Sequence, residues 1–189
     1  MNRFHRWYCR TDHWRRVVQR EILPWVLGDA DLGARALEIG PGPGLTTDLL
    51  QARIPALTAL ELDPRLAAAL RRRTRGGNVT VVEGDGAAMP FPDAVFTGAV
   101  SCTMLHHVPS ADLQDRLLAE VRRVLRPGAW FVGSDSTPSL VFRLAHLFDT
   151  MVPVDPEGFA TRLARAGFVD AAVGRGRGAF RFRARVPAA

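Results

Sequence analysis

The sequence predicts an α/β fold in which a mostly parallel sheet carries helices on both faces. Short strand-like runs alternate with helical patterns from residue 34 to residue 167, an order typical of successive strand–helix–strand units. The 189 residues are 47% hydrophobic, which supplies the core of a single domain over residues 1–189. Two strand-like runs around the turn Gly-Arg-Gly-Arg-Gly end the pattern and favour an antiparallel strand near the edge of the sheet.

Each element has its own signal along the chain. Residues 1–28 show a rough helical stripe of apolar side chains, with a break near Pro24 and a stop at Gly28. Strands are predicted at residues 34–39, 57–62, 79–84, 96–102 and 129–136 and, as a pair, within 169–186. Helices are predicted at residues 45–53, 64–73, 111–125, 138–149 and 156–167.

The positive charge of the chain has two interpretations. All 25 basic residues are arginine, and the net charge is +6. A GC-rich coding bias would replace lysine by arginine, whereas a surface that binds polyanions would concentrate arginine for a function. The arginines are dispersed apart from clusters at residues 71–75 and 175–185, and no aromatic residue interrupts the first cluster. We therefore favour the coding bias and expect no nucleic-acid partner.

The N-terminus and the cysteines indicate a cytoplasmic protein. Residues 1–16 are charged and aromatic, without the apolar stretch of a signal peptide. No apolar run reaches the length that crosses a membrane. Cys9 and Cys102 form no metal-ligand spacing, so we expect reduced thiols and no metal site. The expected oligomeric state is a monomer or a homodimer.

The stretch Ala36 to Leu50, ALEIGPGPGLTTDLL, runs from a strand through a glycine-rich turn into a helix. Glycines at such a turn let backbone N–H groups approach a nucleotide-like ligand. The dinucleotide fingerprint would require glycine at position 45, where this chain has leucine. Glu38 ends the first strand and is expected to look into the cleft, where it would repel a pyrophosphate but suits a ligand that carries an ammonium and a sulfonium. Glu61 ends the next strand, where an acid can bind ribose hydroxyls. Leu45 and Glu38 argue against a dehydrogenase, whereas Glu61 fits either ligand.

The motifs resemble those of the class I S-adenosylmethionine (SAM) dependent methyltransferases over roughly residues 34–173. EIGPGPG is similar to the first motif, LELDP to the second, EGDGAAMPFPDAVF to the third, and AVSCTMLHHV to the segment after strand four. The resemblance implies SAM as cofactor and S-adenosylhomocysteine (SAH) as its product. The alternation and the C-terminal strand pair then predict a Rossmann-like, seven-stranded sheet in the order 3-2-1-4-5-7-6, with strand 7 antiparallel.

The resemblance also implies which residues bind the cofactor. Glu61 would bind the ribose, Asp85 the adenine amino group, and the backbone of Gly86 the ring edge. Each acid alone has a simpler explanation, as a surface charge or a helix cap. Their succession at the C-terminal ends of consecutive strands favours a cofactor site. The full expected set is Glu38, Gly40, Pro41, Gly42, Gly44, Glu61, Leu62, Asp85, Gly86, Ala87, Ser101 and Cys102.

His107, His106 and Asp135 are the candidate catalytic residues, and we expect them to face the cleft from the ends of strands four and five. Leu-His-His followed by an acid at the end of strand five resembles the small-molecule O-methyltransferases. That resemblance implies O-methylation of a small molecule, with a His–Asp pair that assists deprotonation. We expect His107 to be the base, because it lies further along the turn and reaches past the cofactor. The alternative is that one histidine packs under the sheet while the other begins a helix.

Two segments are expected to cover the cleft as lids. The first is residues 1–28, with Trp7 and Tyr8 near the substrate; its alternative role is a helix packed on the core. The second is residues 137–154. The second segment is short, so we expect a small or flat substrate, or one exposed on a partner.

Two other functions remain open. The first motif and LELDPRLAAALRRR also resemble the ribosomal RNA adenine dimethyltransferases. Those enzymes carry an Asn-x-Pro-Tyr type motif after strand four to hold the flipped base. This chain has SCTMLHH there, so RNA modification is an alternative and not the first expectation. A non-catalytic SAM-binding subunit is the second alternative.

Overall fold

The computed structural model describes residues 11–137 and 151–188. Seven strands form one sheet in the order β3-β2-β1-β4-β5-β7-β6, and β7 runs antiparallel to both of its neighbours. The other paired strands are parallel. The predicted fold class is therefore confirmed, including the strand order. The strands are β1 Arg35–Ile39, β2 Ala56–Glu61, β3 Val79–Glu83, β4 Phe96–Cys102, β5 Leu125–Ser136, β6 Val169–Arg175 and β7 Ala179–Arg185.

Several helices begin after a residue whose side chain satisfies free backbone N–H groups. The side chains of Asp63, Ser110 and Asp155 each accept hydrogen bonds from the first turn of the helix that follows. The helices are α1 Asp12–Val17, α2 Leu23–Leu27, α3 Leu45–Leu50, α4 Pro64–Arg73, α5 Ala111–Val124 and α6 Pro156–Arg165. A single 3₁₀ turn, Leu105–His107, lies between β4 and α5.

The helical segment over residues 12–27 changes its winding near Pro24 instead of breaking there. A π-helical segment, Val18–Ile22, joins α1 to α2, and Pro24 stands in the first turn of α2. Proline lacks the N–H that an uninterrupted helix would need there, which accounts for the local change in winding. Trp7, Tyr8 and the helix predicted at residues 138–149 lie outside the described residues, as does most of the second predicted lid.

Helices cover both faces of the sheet. On one face α5 and α6 pack over β1, β4, β5 and β7 through the buried side chains of Leu37, Leu117, Phe131, Phe159 and Phe182. On the other face α2 and α3 pack over β1, β2, β4 and β5, while α4 packs over β2 and β3. β1 is buried on both faces after its first residue, as expected for the centre of a parallel sheet.

The chain reverses its winding direction between β1 and β4, which are neighbours in the sheet. β1 pairs with β2 on one side and with β4 on the other, so the connections from these strands leave toward opposite faces. Parallel strands bring their C-terminal ends to one edge, and a crevice opens there between the diverging loops. The residues that follow β1 to β5 are therefore brought together by the topology.

Candidate active site

A cavity of about 680 Å³ lies at the C-terminal ends of β1 to β4. This volume lies within the range of small-molecule and cofactor sites. The glycine-rich loop, the ends of β2 and β3 and the turn after β4 form its walls. Its lining residues are Ile39, Gly40, Gly42, Leu60 to Leu66, Gly84 to Ala87, Thr103, Met104, His107 to Pro109, Leu113 and Leu117.

The glycine-rich loop uses left-handed backbone geometry. Gly40, Gly42 and Gly44 have φ values of 64°, 54° and 81°. A Cβ on Gly40 would overlap the side chain of Met104, which lies across the loop from the turn after β4. Gly40 is therefore required both by its backbone conformation and by the close approach of Met104.

Glu61 joins the glycine-rich loop to the end of β2. Its carboxylate accepts a hydrogen bond from the backbone N–H of Gly42 at 2.8 Å and from that of Asp63 at 2.9 Å. The residue lines the cavity although only 7% of it is exposed. Each carboxylate oxygen can accept more than one hydrogen bond, so these contacts leave acceptor capacity for the hydroxyls of a ligand.

Glu38 lies behind the loop instead of facing the cleft. It is 3% exposed, and its carboxylate accepts hydrogen bonds from the hydroxyls of Thr46 and of Thr47, the latter at 2.6 Å. Burial raises the pKa of Glu38 from 4.5 to about 7; the two threonine hydroxyls oppose the rise, while Asp48 and Glu61 add to it. The expectation that Glu38 looks into the cleft is thus corrected.

The loop after β3 places Asp85, Gly86 and Ala87 on the cavity wall. The carboxylate of Asp85 accepts a hydrogen bond from the backbone N–H of Ala87 at 2.8 Å, which closes a tight turn. Further along, Arg123 of α5 donates to the carbonyls of Met89 and Phe91 at 3.1 and 2.8 Å. The loop is therefore fastened to α5.

Asp135, at the end of β5, holds the 3₁₀ turn from below. One carboxylate oxygen lies 2.5 Å from Nδ1 of His106, and the other accepts from the backbone N–H of the same residue at 3.1 Å. Both side chains are fully buried, and neither lines the cavity. The expectation that Asp135 and His106 face the cleft is corrected: they form a buried pair under the turn.

Other contacts fix the same turn from its sides. The amide of Gln114 donates to the carbonyls of Leu105 and Val152 at 3.1 and 3.0 Å, and Val152 donates its N–H to the carbonyl of His106 at 2.8 Å. The ring of His107 packs against that of His106 with centroids 4.1 Å apart. His107 lines the cavity, so a firmly held turn presents one histidine to it.

The expected cofactor residues divide into two groups. Gly40, Gly42, Glu61, Leu62, Asp85, Gly86 and Ala87 line the cavity. Among the others, Ser101 is completely buried in β4, and burial raises the pKa of the Cys102 thiol to about 12. The residues of the expected set that do not line the cavity are Glu38, Pro41, Gly44, Ser101 and Cys102.

Sequence reasoning missed several residues of the site. Thr103 and Met104 line the cavity directly before the histidines, and Thr103 has a φ of 56°. Both belong to the motif SCTMLHH, in which the sequence indicates a role only for Ser101, Cys102 and the two histidines. Thr46 and Thr47 follow the glycine motif after Leu45, and two adjacent hydroxyls near an acid at a strand end are a signal that could identify them.

A family model described as a methyltransferase domain matches residues 37–133, just over half of the chain. The chain belongs to the class I SAM-dependent methyltransferases. SAM is the cofactor of this family, as the motifs predicted. The side-chain-free wall at Gly40 and Gly42, with an acceptor at Glu61, fits that cofactor.

Similar proteins differ in what they are named for. A probable ribosomal RNA small subunit methyltransferase A of Haloarcula marismortui is 39% identical over 58% of this chain and 38% of its own length. A fatty-acid O-methyltransferase of Mycolicibacterium smegmatis is 35% identical over 56% of this chain and 38% of its own length. This chain thus spans well under half of either relative.

A solved structure supports the fold. The N-methyltransferase NodS of Bradyrhizobium japonicum, in complex with SAH, superposes with a TM-score of 0.75. The alignment has 19% identity and covers 96% of this chain and 91% of NodS. Within the described ranges, every helix is too short or too polar to cross a membrane.

Proposed function

We propose that this methyltransferase acts on an oxygen atom of a small-molecule acceptor, with His107 as the residue that receives the acceptor's proton. The observation that carries the proposal is the position of His107 on the wall of the cavity that Gly40, Gly42 and Glu61 also line. An imidazole suits this role because its ordinary pKa lies close to neutral pH.

We assign one end of the cavity to the cofactor and the other end to the acceptor. Under the proposal, the glycine-rich loop, Glu61 and the turn at Asp85 hold the cofactor. Met104, His107 and Val108 bound the end next to the turn after β4, where the acceptor would lie. When bound, SAM would supply a methyl group attached to a positively charged sulfur, with SAH as the leaving group. The residues of the chain have to align the acceptor and take up its proton.

His106 and Asp135 act through the turn and not on the acceptor. Their side chains are buried, and the contacts of Asp135 with the ring and backbone of His106 fix the path of residues 105 to 107. Gln114 adds a second anchor at Leu105. This support would keep the ring of His107 directed at the cavity, so the predicted His–Asp pair becomes a scaffold for the neighbouring histidine.

The similarity to the fatty-acid O-methyltransferase of M. smegmatis favours an oxygen acceptor. An oxygen acceptor can be either a carboxylate or a hydroxyl group. A carboxylate acceptor is ionised at neutral pH and needs little help from a base, whereas a hydroxyl acceptor must lose its proton during the transfer. A histidine on the cavity wall is of most use in the second case, so we propose a hydroxyl acceptor first and a carboxylate second.

RNA modification is the second candidate, favoured by the likeness to the H. marismortui relative. Against it, arginines of both sequence clusters are engaged within the protein. Arg73 donates to the carbonyl of Pro43, Arg181 to that of Trp25, and Arg183 forms an ion pair with Asp29. The segment SCTMLHH also lacks the asparagine and proline that hold a flipped base.

The proposal is tested by measuring SAH release from SAM with matched sets of acceptors. The sets are phenols and aliphatic alcohols, long-chain fatty acids, primary amines, and a ribosomal RNA fragment, each compared with a reaction lacking acceptor. We expect SAH release with an alcohol, phenol or fatty acid and a new methyl–oxygen bond in the product by mass spectrometry and NMR. Turnover on the RNA fragment or on amines alone would contradict the proposal.

A further inference from the structure

Arg73 contacts the glycine-rich loop from the side away from the cavity. It is the last residue of α4, and its guanidinium donates to the carbonyl of Pro43 at 2.8 Å and to that of Gly44 at 2.9 Å. The same group pairs with the carboxylate of Asp48, in α3, at 3.0 Å. One side chain thus ties together α4, the end of the loop and the helix that the loop enters.

Gly44 leaves room for this guanidinium. A Cβ at position 44 would overlap Nη2 of Arg73 and Cδ1 of Leu70, and the residue has a φ of 81°. Gly44 does not line the cavity, unlike Gly40 and Gly42. The third glycine of the motif is therefore required by its left-handed backbone and by the packing of α4.

The contacts of Arg73 reach the cavity wall through the backbone of the loop. The peptide that joins Pro43 to Gly44 is planar, so a fixed Pro43 carbonyl also fixes the direction of the Gly44 N–H. That N–H donates to the carbonyl of Pro41 at 2.9 Å and closes the turn that contains Gly42. Gly42 in turn donates to Glu61. The loop is held at its cavity end by β2 and at its far end by Arg73.

We propose that Arg73 is a positioning residue for the cofactor, which keeps the glycine-rich loop in the shape that accepts SAM. This inference rests on the proposed binding of the cofactor against Gly40 and Gly42. Arginine suits the task because its planar fork presents separate N–H groups to two carbonyls and a carboxylate at once. A lysine ammonium on a flexible stem cannot hold the same three acceptors in fixed directions.

The test measures SAH binding by calorimetry, without any acceptor, so its outcome is independent of the methyl acceptor's identity. The variants are Arg73→Gln and Arg73→Lys. The matched control is Arg72→Gln, which removes the same charge from an exposed neighbour on the same helix. We expect Arg73→Gln to weaken SAH binding about tenfold and Arg73→Lys about threefold, with Arg72→Gln within about twofold of the parent.

Comparing melting temperature with SAH affinity distinguishes a role of Arg73 in cofactor binding from a role in fold stability alone. If Arg73 only stabilised the fold, its variants would melt earlier but bind SAH with unchanged affinity at a temperature where they remain folded, and the proposal would be overturned. Gly40→Ala tests the premise, because a Cβ at the cavity wall should weaken SAH binding if the cofactor lies there. Unchanged binding by Gly40→Ala would overturn the proposal as well.

Discussion

Asp135 contacts the ring and the backbone N–H of His106 with its two carboxylate oxygens, at 2.5 and 3.1 Å. The pair lies wholly inside the protein, between the end of β5 and the turn after β4. Its geometry links two neighbouring strand ends and holds the turn that carries His107. The buried pair therefore connects the end of β5 to the turn that carries His107.

Removing Asp135 should destabilise the fold strongly. Asp135→Ala removes the carboxylate that the buried ring and backbone N–H of His106 both contact, and we expect the free energy of unfolding to fall by about 3 kcal/mol. Asp135→Asn keeps the shape and one acceptor oxygen, so its loss should be smaller. Urea unfolding of both variants checks this, and equal losses would show that hydrogen bonding to His106 contributes little.

Glu61 is expected to bind the cofactor, because it lines the cavity and retains acceptor capacity. Glu61→Ala should weaken SAH binding by about 1–3 kcal/mol, the usual value of hydrogen bonds to a charged group. Calorimetry against the control Glu83→Ala checks this, since Glu83 is the exposed residue paired with Glu61 in the neighbouring strand. An affinity of Glu61→Ala equal to that of the control would refute the role.

The sequence predicted the fold closely because its signals are local. Pro64 at a helix start, strand-like runs such as residues 96–102 and the glycine turn near residue 176 each specify an element without help from distant residues. The structure has the strand at residues 96–102 and the helix at residues 64–73 with the predicted bounds. Motif order then placed the cavity correctly at the C-terminal edge of the sheet.

The side-chain directions could not be predicted in the same way. Glu38 and Asp135 were expected to face the cleft, because each lies near the end of its strand. In a strand, successive side chains alternate between the two faces, and the helices covering each face determine what they meet. Glu38 meets Thr46 and Thr47, while Asp135 meets His106. The sequence indicates that these groups can pair, but the three-dimensional fold determines whether each pair lies inside the protein or faces the cleft.

Glu38 should make the stability of the protein depend on pH between about 4.5 and 7. Its pKa is raised from 4.5 to about 7, so in this range the folded protein keeps a proton that the unfolded chain has lost. Stability contributed by Glu38 is therefore present below pH 4.5 and is lost as the pH rises through about 7. The total loss is about 3 kcal/mol.

Urea unfolding of the parent and of Glu38→Gln from pH 5 to pH 8 tests this dependence. Glutamine keeps the size of the side chain and a carbonyl acceptor for the threonine hydroxyls but does not ionise. We expect the variant to gain stability relative to the parent as the pH rises, and the exposed control Glu83→Gln to show no such trend. A constant difference between Glu38→Gln and the parent would contradict the raised pKa.

Arg123 should stabilise the loop after β3. It donates to Glu120, to Asp93 and to the carbonyl of Phe91, and these acidic neighbours raise its pKa above the ordinary value. Arg123→Lys keeps the charge but loses the fork, and we expect a loss of about 1 kcal/mol because the side chain is partly exposed. Urea unfolding compared with Arg122→Lys, the adjacent arginine, checks this; equal losses would contradict it.

The mechanism predicts different effects for the two adjacent histidines. His107 lines the cavity, whereas His106 lies under the turn and contacts Asp135. With an alcohol or phenol that the enzyme methylates, His107→Ala should lower kcat about 100-fold, the lower end of the usual share of general-base catalysis, while SAH affinity stays nearly unchanged. His106→Ala should lower the melting temperature as well as kcat, because it removes the ring that Asp135 holds.

Steady-state kinetics, SAH calorimetry and thermal melting on the same preparations separate these effects. Turnover by His107→Ala at near the parent rate would show that the ring shapes the cavity without accepting the proton. With a fatty acid as acceptor, the loss caused by His107→Ala should be much smaller, because a carboxylate is already ionised.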